Sequence, residues 1–215
     1  MVATEKRILW VEGESIMIPI GIPLGKLVVP KGAPQPNGLP VQYAVRHRHI
    51  ATIYETPGYR TWYASREIMS RARLVEMLAR EFRVSEEEVS GGIDSMVRRG
   101  QILELSGHWE EDWTDILTLR PIPRGIGIGN SEDDVDSFVV VDPTEEAELH
   151  VDCMDYQIYS FWDGSLTVDQ AVTAAATYLG ASPDVIKERN HRLLINALRF
   201  GVVFVDAPSD EAKTP

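Results

Sequence analysis

Along this chain, apolar positions alternate between short β-branched runs and stripes at helical spacing, and the two patterns follow each other in a fixed order. Ser137–Asp142 (Ser-Phe-Val-Val-Val-Asp) reads as a strand, and Pro143-Thr144-Glu145-Glu146 as a turn. Ala147–Asp152 then alternates apolar and polar residues as a second strand does. A short helix is expected over Met154–Trp162, stopped by Asp163-Gly164. Thr167 can cap a helix whose Val168, Val172, Ala175 and Leu179 share one face and which ends at Gly180. Ser182-Pro183 opens a third helix, with proline at the first helical position. Its apolar stripe is Ile186, Leu193, Leu194, Ala197 and Leu198, interrupted by Arg189-Asn190-His191-Arg192. Gly201 ends that helix, and Val202–Val205 is a closing strand.

The first half repeats the order more loosely. Lys26–Pro30 and Val41–Glu55 supply strands around a Pro/Gly-rich loop, 31–40, and Pro57–Ser65 reads as the short helix. Leu74, Leu78 and Phe82 mark the inner face of the next helix. Ser85 caps a third, whose Val89, Ile93, Met96 and Val97 fall on one side, and Gln101–Leu105 closes the unit. A shift of 97 residues superposes Tyr59 on Tyr156, Trp62 on Tyr159, Val75 on Val172, Ala79 on Ala176 and Ser85 on Ser182. Upstream the offset becomes 104, where Pro19–Gly25 aligns with Pro123–Gly129. Downstream it becomes 101, where Gly100 aligns with Gly201, so the last helix of the second copy should be about one turn longer. The expected fold class is α+β: two tandem small winged-helix-like domains, each of short β-strands followed by three helices and a closing strand. The expected boundaries are 1–105 for the first domain, 106–120 for a Trp-rich acidic linker, 121–207 for the second domain and 208–215 for a tail.

Composition narrows the functional classes. The 215 residues include 21 Lys+Arg and 33 Asp+Glu, a net charge of −12. The imbalance is local: residues 1–120 carry 15 basic and 16 acidic side chains, residues 121–215 carry 6 and 17. Such acidity argues against nucleic-acid binding, which needs cations to displace phosphate counterions. No apolar run is long enough for a membrane span, and Met1–Trp10 lacks the layout of a signal peptide, so the expected location is cytoplasmic. One cysteine, Cys153, excludes an internal disulfide and predicts a buried structural thiol.

Gly125–Gly129 has the composition of a phosphate loop, but the acidic run that follows it would repel phosphate, and a hairpin is the better reading. Ser131–Asp136 lacks the spacing of a calcium loop. His108–Trp113 offers a histidine, carboxylates and two tryptophans, and reads as packing of the linker between the domains. Arg46-His47-Arg48-His49 is the one locally basic run. On an alternating strand it would put both arginines on one face, suited to an acidic peptide or a nucleic-acid backbone, or simply to a solvated edge. No nucleophile elbow, metalloprotease pair, phosphate-loop lysine or kinase signature occurs, so no catalytic residue, metal ligand or cofactor is assigned.

Phe161-Trp162-Asp163-Gly164-Ser165-Leu166-Thr167-Val168, with Ser182, the long helix and Leu198-Arg199-Phe200-Gly201-Val202-Val203, resembles the PqqD-like domains. These are the recognition elements that bind leader peptides of ribosomally made, post-translationally modified peptides. The resemblance covers about 121–206, and 16–105 resembles a divergent second copy in which Arg66-Glu67 replaces the Asp-Gly turn. It implies non-catalytic binding of a precursor peptide by strand addition, and delivery of that peptide to a separate modifying enzyme. The receiving strand would be Ala147–Asp152, with Leu149, His150 and Val151, and the groove wall would be the third helix, with Ile186, Arg189, Asn190, Leu193 and Ala197. Arg48, Ile50, Ile53, Val89 and Ile93 are the weaker equivalents in the first copy. A homodimer is compatible with this reading. The alternatives are a winged-helix DNA-binding regulator, using Lys187, Arg189, Asn190 and Arg192, and a scaffold subunit of a protein complex.

Overall fold

A computed structural model describes residues 15–27, 41–131, 134–142 and 147–207. The expected loop 31–40, the turn 143–146 and the tail 208–215 lie outside the described residues. The fold is α+β, with small antiparallel sheets and helices in the order the sequence pattern implies.

In the first half, β1 (Ile16–Pro19) pairs with β5 (Ile102–Leu105), while β2 (Ile22–Lys26), β3 (Gln42–His47) and β4 (Ile50–Glu55) form a three-stranded sheet in that order. Between β4 and β5 lie α1 (Thr56–Ala64), a 3-10 turn (Ser65–Glu67), α2 (Arg71–Phe82) and α3 (Glu86–Arg98). The second half repeats every pairing. β6 (Arg120–Pro123) pairs with β10 (Val203–Asp206), and β7 (Ile126–Asn130), β8 (Ser137–Asp142) and β9 (Ala147–Asp152) form the second three-stranded sheet. Its helices are α5 (Cys153–Ser160), α6 (Val168–Leu179) and α7 (Pro183–Arg199). Even the irregularities coincide. The register slips between Pro23 and Gly25 in one sheet and between Gly127 and Gly129 in the other, at the same offset of 104.

Local chemistry fixes the helix ends. Ser70, Ser85, Thr167 and Ser182 each accept a hydrogen bond from the backbone N–H three residues on, and Thr167 with Gln170 completes a reciprocal capping box. Gly180 ends α6 in the left-handed conformation at φ 63°. Helix α7 runs 17 residues against 13 for α3, the extra turn that the downstream offset requires.

The buried residues form two cores. The β1–β5 ribbon lies between them, because alternate residues of a strand point to opposite faces. Ile16, Ile18 and Leu105 join the core of the second half, whereas Met17 and Ile102 join that of the first. The halves are also stitched directly, with Gly21 N–H donating to Val205 O at 2.7 Å.

Several expectations change. Residues 106–120 are not a simple linker: they contain α4 (Trp109–Ile116), which buries Asp112 and Ile116. Arg48 is not on a strand. It sits in the two-residue turn between β3 and β4 at φ 57°, so the basic run is broken by a hairpin rather than sorted onto two faces. Strand β2 stops at Lys26, where the expected strand over 26–30 was to begin. Cys153 is exposed, because it opens α5 directly after the capping residue Asp152, on the side away from the core. Gly125–Gly129 leads into β7, an outer strand of the second sheet, as the hairpin reading requires.

Candidate functional site

Strand β9 is the last strand of its sheet: one edge is bonded to β8, and no described strand pairs with the other. Its residues alternate as the sequence pattern demands. Leu149 and Val151 point inward, while Glu148, His150 and Asp152 point outward. His150 Nε2 lies 3.5 Å from Glu148 Oε2, and both side chains are about half exposed.

Helix α7 lies behind this strand and sets the limits of the site. Ile186, Leu193 and Ala197 are in the same core as Leu149 and Val151, so these five side chains hold the strand and helix together instead of lining an open groove. Asn190 is also fully buried. Its Oδ1 accepts a hydrogen bond from Trp162 Nε1 at 3.1 Å, while its Nδ2 has no partner among the described residues. The expectation that Asn190 contacts a ligand is therefore corrected: a polar residue on the inner face of a helix satisfied a buried indole instead. Among the eight side chains assigned to the peptide groove, His150 and Arg189 are the ones with substantial exposure.

Arg189 acts as a clamp. Its Nη1 donates to Asp152 Oδ2 at 2.7 Å and to Asp155 Oδ1 at 2.9 Å, tying α7 to the end of β9 and the start of α5. The two carboxylates respond in opposite directions. Burial pushes Asp155 above the ordinary aspartate range, with Arg189 only partly opposing it. Burial also acts on Asp152, but the Arg189 hydrogen bond and the backbone N–H of Asp155 outweigh it and hold this carboxyl below that range. Sequence reasoning missed both acids as partners of Arg189. The Asp-x-x-Asp spacing at a helix start, three residues apart, was the available signal.

The equivalent edge in the first half is β4. Ile50 and Ile53 are exposed there, at 58% and 47%, whereas Val89 and Ile93 are core residues of α3 and corrected accordingly. Arg48 meets the second half through its backbone, donating its N–H to Asp206 Oδ1 at 2.8 Å.

No protein-family model, curated protein or solved structure matches the chain. The third helix of the second half is poorly placed for a DNA groove: eight of its residues are buried, and it packs on α4, α5 and α6. Its cations are also turned onto the chain's own acids. Lys187 lies 3.2 Å from Asp184, Arg189 holds Asp152 and Asp155, and Arg192 lies 3.8 Å from Asp155. Among the described residues, no group of three or more His, Cys, Asp or Glu stands close enough to hold a metal ion, and no helix is long and apolar enough to cross a membrane.

Proposed function

We propose that this chain is a non-catalytic peptide-binding protein, built from two winged-helix-like units, that captures a precursor peptide by strand addition and presents it to a separate tailoring enzyme. The observation that carries this reading is the outer edge of β9, a strand of alternating burial with one row of backbone groups unpaired among the described residues. An extended peptide laid along it gains backbone hydrogen bonds, and its side chains fall beside His150 and Glu148 on one face. The resemblance of 121–206 to the PqqD-like elements supports the same edge. The apolar groove residues named from that resemblance contribute by fixing β9 against α7, so contacts come from the strand's backbone and its outward side chains.

The test is a titration of fluorescently labelled candidate leader peptides, taken from open reading frames neighbouring the gene, followed by anisotropy against a duplex-DNA control. Saturable peptide binding that disappears when alternate amides of the peptide are N-methylated is expected, because methylation removes the donors that strand addition uses. Salt-dependent binding to DNA alone would overturn the reading in favour of a regulator. Absence of both, with a protein partner co-purifying, would overturn it in favour of a scaffold.

A further inference from the structure

The two halves differ where their first and second helices meet. In the first half a cleft of about 400 Å³ opens between α1 and α2. Its apolar lining is Ala64, at the end of α1, with Met69 and Met77. At the repeat offset of 97, Ala64 corresponds to Phe161, Met69 to Leu166 and Glu81 to Tyr178. Phe161 leans on α6: its ring meets that of Tyr178 edge-on at 5.9 Å, and it packs against the core of the second half. In the first half those two positions hold Ala64 and Glu81, and Glu81 is drawn to Arg60 at 2.8 Å. The alanine leaves open, between α1 and α2, the place that an aromatic ring fills between α5 and α6.

The charged rim of the cleft is mostly self-satisfied. Arg60 is held by Glu81, with the Glu67 carboxylate also acting on it, and Arg80 pairs with Glu76 at 2.8 Å. Arg73 lines the cleft too, is exposed, and has no ion-pair partner among the described residues. It is the third residue of α2, where its backbone N–H bonds to the capping Ser70. A cation in the first turn opposes the helix dipole. The equivalent residue of α6 is Gln170, whose side chain completes the capping box. Helix chemistry alone would place an acid or a glutamine at Arg73, so the fold does not ask for this guanidinium.

We propose that the α1–α2 cleft is a docking site for an aromatic side chain presented by an acidic peptide segment, with a carboxylate beside the aromatic residue received by Arg73. Phe161 in the second half supplies the chemistry of the occupant, since the same position there accepts a polypeptide's own ring. Met69 and Met77 line the cleft with flexible thioethers, which adapt to aromatic rings and attract them. The guanidinium fork of Arg73 matches the two oxygens of a carboxylate. This site involves neither outer sheet edge, so it goes beyond strand addition at β9 and does not depend on it.

The probe is the unlabelled pentapeptide acetyl-Ala-Asp-Phe-Asp-Ala-amide, titrated into the full chain carrying 13C-methyl methionine. One anchor and one ion pair correspond to a Kd on the order of 1 mM, within reach of an NMR titration to about 5 mM. Saturable shifts of the Met69 and Met77 methyls are expected, with the core residues Met17 and Met96 as references. Replacing the peptide's Phe by Ala should weaken binding about tenfold or more, and replacing both Asp by Asn about three- to tenfold. Ala64→Phe, which copies Phe161, should close the cleft and weaken binding at least about tenfold. Arg73→Glu should weaken it about tenfold while the Tm holds or rises, because an acid there completes the Ser70 cap. Loss of binding in that variant is therefore not loss of fold, and it decides the matter if Ala64→Phe does not fold. No saturable shift at Met69 and Met77, equal binding of the Ala-substituted peptide, or unchanged binding by Arg73→Glu or by a folded Ala64→Phe would each overturn the assignment. Leader peptides that bind the wild type and Ala64→Phe alike belong to the β9 edge. The cleft can fail while that edge stands, and a silent leader titration leaves the pentapeptide result intact.

Discussion

His191 and Asp112 meet at 2.9 Å in the interior, with 3% of each side chain exposed, and join α4 to α7. The same carboxylate accepts the backbone N–H of Ser106 at 2.6 Å and of Gly107 at 3.0 Å, so one side chain organises the turn into α4 and pins the helix to the second half. Removing it leaves three donors without their acceptor in a dry site. Asp112→Ala is expected to cost about 2–4 kcal/mol in denaturant unfolding. Burial pushes the Asp112 carboxyl up, but His191 and the Ser106 contacts outweigh it, and the net direction is below the ordinary range. A depressed folded value means that this stability is present above the unfolded value, about 3.9, and is lost as pH falls through the folded one. Thermal melts of the wild type should therefore drop more steeply below about pH 4 than those of Asp112→Asn.

The helix that carries this pair also shows where the sequence was legible and where it was not. Strands β8 and β9 and the caps Thr167, Ser85 and Ser182 stood where periodicity and capping chemistry put them, because those signals are local. The repeat was legible too, and the aligned stretches Pro23-Leu24-Gly25 and Gly127-Ile128-Gly129 turn out to share a register slip that the sequence did not announce. What failed was long-range. Asn190 and His191 interrupt an apolar stripe, and Asn190 is expected to contact a peptide, yet each is buried because a partner arrives from elsewhere: the Trp162 indole, 28 positions back, and Asp112, 79 positions back. The first copy has Ile93 where the second has Asn190, so the shared skeleton did not require a polar group there. The seam between the halves was invisible for the same reason. There the β3–β4 hairpin at Arg46–His49 meets Arg120, Ile122 and Asp206, residues more than seventy positions downstream.

Gly21 and Gly125, which are equivalent in the repeat, leave no room for a side chain. A Cβ on Gly21 would lie 2.6 Å from Arg46 O, at a φ of 107° that side chains rarely adopt. One on Gly125 would lie 2.6 Å from Val140 Cγ1 and 2.8 Å from Val202 Cβ. Gly25 also has positive φ, but open space around it. Gly21→Ala should therefore destabilise by about 2–4 kcal/mol and Gly25→Ala by about 1–2, compared by chemical denaturation. Gly21→Ala should also raise hydrogen exchange along the β2–β10 seam, where the Gly21 N–H is held by Val205 O.

His47 provides a second pH signature, near neutrality. Burial lowers its pKa below the ordinary 6.5, with the Asp206 carboxylate acting against that shift, and its ring stands 3.1 Å from the Tyr54 hydroxyl. A histidine held neutral in the fold contributes stability above its unfolded value, and that contribution declines as pH falls through 6.5 toward the folded value. Unfolding free energy should decrease between about pH 7 and pH 5, and His47→Gln should remove that part of the slope. Asp206→Asn takes away the opposing carboxylate, so an NMR titration of His47 should move to still lower pH in that variant.

Arg189 is the last link that can be tested by titration, because its two carboxylates report on it independently. In the native chain Asp155 titrates above the ordinary aspartate range and Asp152 below it. Arg189 lowers both, so Arg189→Ala should move both upward: Asp152 loses the hydrogen bond that outweighs its burial, and Asp155 loses the cation that partly offsets its own. The guanidinium is partly exposed, 28% for the side chain, so solvent screening limits the loss of stability to about 1–2 kcal/mol. Carbon-detected titration of the two side chains reads the outcome. Upward movement of both places the clamp between α7 and the end of β9, whereas movement of Asp152 alone would show that Asp155 is set by burial without Arg189. If strand addition depends on β9 being held in line by this clamp, the same variant should bind a leader peptide about three- to tenfold more weakly, with loss in the dissociation rate rather than the association rate.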